Sequence, residues 1–206
     1  VFITPFGAFC YVSMPFGLKS AQATYQQCVQ NCLHEQIGRN VHAYVDDIVV
    51  KSAAEADAGF SARHSAKSKT YLYRIQQGET PDAFTQRYAW YERRPLDLPA
   101  MQAALDCIKG THDFSAFRAS GGAPMSPIRT MYAATAAAGP GELLEFRIHG
   151  SGFLYHMVRN IIGTVANVGL GRLSVDDFRR IMESLDRRQA SATAPACGLY
   201  LYHVDY

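Results

Sequence analysis

Leu143-Leu144-Glu145-Phe146-Arg147-Ile148-His149, followed after a short gap by the apolar run from Tyr155 to Val168, decides the fold class of this sequence. The first stretch pairs with Ile128 to Thr135 across Gly139-Pro140-Gly141, a loop built of turn formers, so the two read as a β-hairpin. The second holds Met157, Val158, Ile161, Ile162 and Val165 at helical spacing, and Gly169 is its expected C-terminal stop. Hairpin strands and apolar helices must bury their faces against each other. The expected class is therefore α+β, a mainly antiparallel sheet with packed helices.

Outward from that centre the same signals recur. Ser174 and Asp177 form an acidic variant of the capping box and open an amphipathic helix running to about Leu185, and Gly198 to Val204 reads as a closing strand. On the N-terminal side, Asp97 with Pro99 starts a helix whose apolar set Met101, Ala104, Leu105 and Ile108 runs until Gly110. Thr70 to Ile75 alternates, with Tyr71, Tyr73 and Ile75 on one face, as a half-buried strand does, and Tyr88 to Tyr91 reads as another.

Upstream of residue 60 the text changes. Residues 53–58 belong to a small-residue stretch, Ser52 to Gly59, with no apolar anchor, which makes it a junction between a segment 1–52 and a body 59–206. The first segment is dense in aromatic, Gly and Pro residues up to Leu18, then reads as a helix from Ser20, its N-cap, to Gln36, closed by Gly38. Val41 to Val50 is β-branched and interrupted by Asp46 and Asp47, the pattern of two short strands joined by a tight acidic turn.

Bulk numbers restrict the function classes only loosely. A net charge of +2 is too small to announce a nucleic-acid binder, so any RNA-binding reading must rest on local patches. Five Cys at irregular spacing are no disulfide framework, and a reducing, cytoplasmic setting is expected. No apolar stretch of membrane-spanning length occurs, so no membrane partner is expected, and a start at Val1 suggests a partial chain. Cys28, Cys32 and His34 share helical spacing that could suit zinc, but a four-ligand site would have to recruit His42, and packing cysteines are the expectation.

Ile3-Thr4-Pro5-Phe6-Gly7, Met14-Pro15-Phe16-Gly17-Leu18 and Tyr44-Val45-Asp46-Asp47 together resemble the palm of a gypsy-type retrotransposon reverse transcriptase, over residues 1–52. The resemblance implies that Asp46 and Asp47 stand where paired divalent metals bridge a 3′-hydroxyl and the incoming nucleotide's phosphates. The family needs a further upstream Asp, so Mg²⁺ is expected only if the palm fragment were active, and the pair is expected to be an unoccupied solvated turn. No other cofactor is implied.

Residues 59–206 resemble the C-terminal part of the TruA-type tRNA pseudouridine synthases. The phrases that carry this are Phe60-Ser61-Ala62-Arg63, Lys69-Thr70-Tyr71-Leu72-Tyr73, His112-Asp113-Phe114-Ser115-Ala116-Phe117-Arg118, Ser126-Pro127-Ile128-Arg129, His156-Met157-Val158-Arg159-Asn160 and Thr193-Ala194-Pro195-Ala196-Cys197-Gly198-Leu199. Such enzymes detach uracil from C1′ of a flipped-out tRNA nucleotide, turn it and rejoin it through C5. The resemblance implies that Tyr71 stacks on the base and accepts its C5 proton, Arg159 partners the catalytic carboxylate, and Leu199 lines the pocket. It also implies that Arg118, Arg129 and His156 hold tRNA, with a bracing role for the loop between the two arginines as the alternative, and that the partners are tRNA and a second copy in a homodimer.

The family's nucleophilic Asp stands in a Gly-Arg-Thr-Asp phrase well upstream of the stacking Tyr. Asp57 mimics its surroundings but lies only 14 positions before Tyr71, without the preceding Arg-Thr. Binding without turnover is the resulting expectation, with an RNA-binding or dimerising remnant, or a polymerase fragment in a gene fusion, as alternatives.

Overall fold

A computed structural model describes residues 2–4, 7–9, 41–43, 48–50, 56, 59–62, 64–122 and 124–206. The chain divides into a unit Val1–Ala58 and a unit Gly59–Tyr206. In the first, β1 (Phe2–Thr4) pairs antiparallel with β2 (Gly7–Phe9), and β3 (Val41–Ala43) with β4 (Ile48–Val50) in the register Val41 opposite Val50. The two strands expected around the acidic pair are therefore present. Asp46 and Asp47 themselves, the expected helix from Ser20 to Gln36 with Cys28, Cys32 and His34, and Asp57 lie outside the described residues.

The second unit is built on β5 (Ser68–Gln76), β6 (Trp90–Tyr91), β7 (Gly110–Asp113), β8 (Ile128–Ala138), β9 (Leu143–Gly150) and β10 (Leu199–Asp205), with helices α1 (Leu98–Asp106), α2 (Met157–Gly169) and α3 (Val175–Glu183). The sheet order is β10-β5-β9-β8-β7, antiparallel throughout, and β6 adds a short parallel pairing beside the end of β5, Ile75 opposite Trp90. The expected α+β class is what forms, its sheet mainly antiparallel with the one parallel β5–β6 pairing making it mixed among the described residues.

Alternation along β5 and β9 sets the two faces. Tyr73, Ile75, Phe146 and Ile148 are fully buried on the helix side. On the other, Glu145 takes Arg74 at 2.9 Å and Arg147 at 2.7 Å, and these guanidiniums sit 5.4 Å over Tyr200 and 5.5 Å over Tyr202. Cations over aromatic faces are a stable way to finish a solvent-facing sheet.

The helices start where the sequence marks them. Asp97 caps α1 by accepting from the Ala100 N–H at 2.9 Å, and Ser174 with Asp177 makes a reciprocal capping box for α3. The end of α2 differs from expectation: Gly169 is its last helical residue, and Gly171, at φ +68°, takes the left-handed position after it. Gly169 is needed for closeness instead, since a Cβ there would lie 2.6 Å from Met101 Sδ in α1. α2 is buried nearly all round, with Asn160 and Thr164 as fully buried polar residues. It is the element from which the site is built.

Candidate functional site

The first turn of α2 emerges from an unusual backbone position. His156 is its N-cap residue at φ +56°, a left-handed conformation that costs an L-residue about 1 kcal/mol, and its ring stacks on Tyr155 with centroids 4.0 Å apart. Burial, and then the neighbouring Arg159 charge, lower the His156 pKa, so the imidazole resists protonation. Arg159, one turn into the helix, lies with Nη1 3.4 Å from His156 Nε2 and donates from Nε to the Ala194 carbonyl at 2.7 Å. Ala194 answers by donating its N–H to the Arg159 carbonyl at 3.1 Å. Among the described residues no carboxylate forms an ion pair with Arg159.

The segment that carries Ala194 also ties down the sheet. Tyr73 donates its hydroxyl to the Pro195 carbonyl at 2.7 Å, next to the carbonyl that takes Arg159, and burial raises its pKa. Leu199 stands opposite Tyr73 in the β10–β5 register, and Leu201 opposite Tyr71. Directly paired residues share a face, so Tyr71 and Leu199 are diagonal neighbours on the helix-facing side. Both are half-buried against the core, and the Tyr71 ring meets Phe153 edge-on at 4.9 Å. Burial raises the Tyr71 pKa, keeping its phenol protonated. The fold thus gathers Tyr71, Leu199 and Arg159 around one short segment, residues 194–199.

Arg118 and Arg129 flank the loop that runs from residue 118 to residue 129. Arg118 donates from Nη1 to the Met125 carbonyl at 3.3 Å; Arg129 donates to Ser126 O at 2.8 Å and Ile128 O at 2.5 Å. Both brace the loop between them. Burial, and then the Arg118 charge, lower the Arg129 pKa.

A second arginine shell escaped the sequence reading. Arg187 donates from Nη1 to Ala190 O and Ser191 O, at 3.1 and 3.0 Å, and from Nη2 to Asn160 Oδ1 and Thr193 Oγ1, at 3.0 and 3.1 Å. Thr193 also donates to Asn160 Oδ1 at 2.6 Å, and Asn160 Nδ2 donates to Phe117 O at 2.7 Å. This network fixes the segment that presents Ala194 to Arg159. Only the run Asp186-Arg187-Arg188 marks it in sequence, and nothing there separates Arg187 from its exposed neighbour Arg188, which pairs with Asp186 at 2.9 Å. Among the described residues no group of three or more His, Cys, Asp or Glu could hold a metal, and no helix is long and apolar enough to cross a membrane.

Comparison with known proteins identifies the family. Residues 104–206 match the family model for tRNA pseudouridine synthase. Proteins named tRNA pseudouridine synthase A match over 161 residues: that of Geobacillus sp. (strain WCH70) at 45% identity, covering 78% of this chain and 64% of the relative; that of Geobacillus kaustophilus at 46%, covering 78% and 62%; and that of Acetivibrio thermocellus at 42%, covering 78% and 66%. The chain thus spans just under two thirds of the length of these relatives. With the matched residues reaching from α1 through the arginine-bearing α2 to the closing strand β10, this chain belongs to the tRNA pseudouridine synthase family.

Proposed function

We propose that the second unit forms the base-stacking, arginine-bearing wall of a site that isomerises uridine to pseudouridine in tRNA. Tyr71, its phenol kept protonated by burial, lies against the loosened base as a stacking surface, Arg159 partners the attacking carboxylate, and Leu199 closes the pocket; Arg118, Arg129 and His156 hold the RNA. One observation carries the reading. A guanidinium fixed through Nε to Ala194 O, without a carboxylate partner among the described residues, stands beside the sheet face that holds Tyr71 and Leu199. An arginine built this way is ready to take a carboxylate with its remaining N–H groups. The relatives' name supports tRNA as the substrate, and tRNA with a second copy of the chain is the partner set we propose, in a cytoplasmic setting.

Because that carboxylate is the starting point of the chemistry, the expectation is a 206-residue chain that binds tRNA without turning it over. Tritium release from tRNA labelled at uridine C5 tests this: background release is expected, and robust turnover overturns it, making Asp57→Ala the next variant. For the pocket itself, Tyr71→Ala should weaken binding of unmodified tRNA about tenfold or more, because stacking a base on an aromatic ring contributes about 1–3 kcal/mol. Unchanged affinity would remove Tyr71 from the pocket.

The resemblance of residues 1–52 to a reverse-transcriptase palm supports a second reading, a polymerase fragment joined to the family segment, and the β3–β4 hairpin is compatible with it. The 161 matched residues outnumber those from Gly59 to Tyr206, so the matched stretch begins at or before Asp46. This favours a junction upstream of the expected 53–58. Primer extension with Mg²⁺ that depends on Asp46 and Asp47 would establish the polymerase reading; no product is expected. Sequencing the transcript across residues 45–65 tests the fusion.

A further inference from the structure

We propose that the open surface cavity lined by Ser115, Arg118, Ser120, Gly121, Gly122 and Arg187 binds one phosphodiester of an RNA strand, an inference that rests on the RNA reading above. The cavity measures about 440 Å³ and has no Asp or Glu in its lining. Asp113, which leads into it, turns Oδ1 to the Ser115 backbone N–H at 2.8 Å.

Arg187 supplies the main reason. Its guanidinium is half-buried and held by four neutral oxygens, and among the described residues no carboxylate forms an ion pair with it. An arginine keeps its charge at any ordinary pH, so a fixed, part-buried cation of this kind favours an anion in the space it faces. Arg118 places a second guanidinium on the lining, and its field reaches Arg129, whose pKa it helps to lower. The wall between them is nearly bare of side chains. Gly121 sits at φ +88°, and a Cβ on Gly122 would come within 2.7 Å of the Tyr155 side chain, so this stretch meets the cavity with backbone. Hydroxyls, guanidiniums and glycine backbone are a phosphate-binding combination.

The position of the cavity selects an RNA phosphodiester. Ala119, on its lining, donates its N–H to the Tyr155 carbonyl at 3.1 Å, and Tyr155 stacks on His156 at the start of the helix that carries Arg159. Phe153, two residues before Tyr155, meets the Tyr71 ring at 4.9 Å, so one short segment links the cavity to the uridine pocket and a strand with its uridine at Tyr71 would run its backbone toward it. Phosphate contacts of this kind fix register and orientation rather than sequence.

Amide and arginine Nε–H spectra of the full chain, titrated separately with an unmodified tRNA stem-loop and with inorganic phosphate, test the assignment. The stem-loop should shift Ser120, Gly121, Gly122 and the Arg187 Nε–H. Ser120→Asp, on an exposed loop, should weaken stem-loop binding about tenfold with an unchanged melting temperature, and Arg118→Gln should lower the salt slope by about one phosphate. RNA that binds without moving these signals, or with affinity indifferent to Ser120→Asp, overturns the proposal while leaving the uridine pocket standing. Shifts from inorganic phosphate alone mean an adventitious ion only and overturn it too. Complete failure of RNA to bind removes both, and the Tyr71 ring resonances report on the uridine pocket independently.

Discussion

Two residues of the wall carry opposite electrostatic signatures, and each yields an expected pH response. Burial raises the phenol pKa of Tyr71 above its ordinary value near 10. A raised folded pKa means that the unfolded chain releases the proton first, so the contribution is intact below pH about 10 and stability falls as pH rises through the interval up to the folded value. Tyrosinate absorbance should show Tyr71 and Tyr73 titrating late, and Tyr71→Phe should remove part of that late phase while leaving tRNA affinity within about twofold, since the stacking face remains. His156 runs the other way. Its folded pKa lies below about 6.5, so in the window beneath that value the unfolded chain holds more protons, and stability is lost as pH falls. Its left-handed backbone makes a second point: His156→Gly should raise stability by about 1 kcal/mol in thermal denaturation, and on the proposed role of the ring should weaken tRNA binding. His156 stood in a quoted motif and was legible as a candidate; its positive φ was not, because an imidazole gives no sign of the backbone conformation beneath it.

At the scale of elements, the site depends on how closely the 190–195 segment lies on α2. A Cβ at Gly163 would come within 2.1 Å of Ala192 O and 3.2 Å of Ala194 N, both backbone atoms that cannot rotate away. Gly163→Ala should therefore cost about 1–3 kcal/mol in denaturant melts, as overpacking does, and should weaken tRNA binding by displacing the carbonyl that holds Arg159. Arg187→Ala should cost about 2–3 kcal/mol, because it strips partners from buried Asn160 and from Thr193. Caps and helices were readable beforehand, since Asp97, Ser174 and Asp177 act on backbone groups within three residues of themselves. Gly169 reads as a stop from the sequence because helix-ending glycines usually are; its close approach to Met101 depends on a residue far away in the chain. The parallel β6–β5 pairing was unreadable for the same reason.

At the scale of the whole molecule, the core cluster among the described residues runs in chain order from Tyr73 to Ala194, within the second unit. Residues 59–206 expressed alone should keep a single cooperative melting transition with the melting temperature of the full chain, within a few degrees; a collapse of that transition in calorimetry would show that the first unit is needed. Legible along the chain are local, ordered features: the α+β class, the hairpin, the helices and their caps, and the motifs whose family resemblance implied Tyr71, Arg159 and Leu199 as candidates. Those follow from periodicity and from motifs spelled out along the chain. Tertiary structure alone decided that Leu199 comes beside Tyr71, that Ala194 and Pro195 tie Arg159 and Tyr73 to one segment, and that Arg187 underlies that segment through Asn160 and Thr193. These are contacts between residues up to 128 positions apart, Tyr71 and Leu199 the farthest, and such contacts are set by strand pairing and close packing that leave no local trace in the chain.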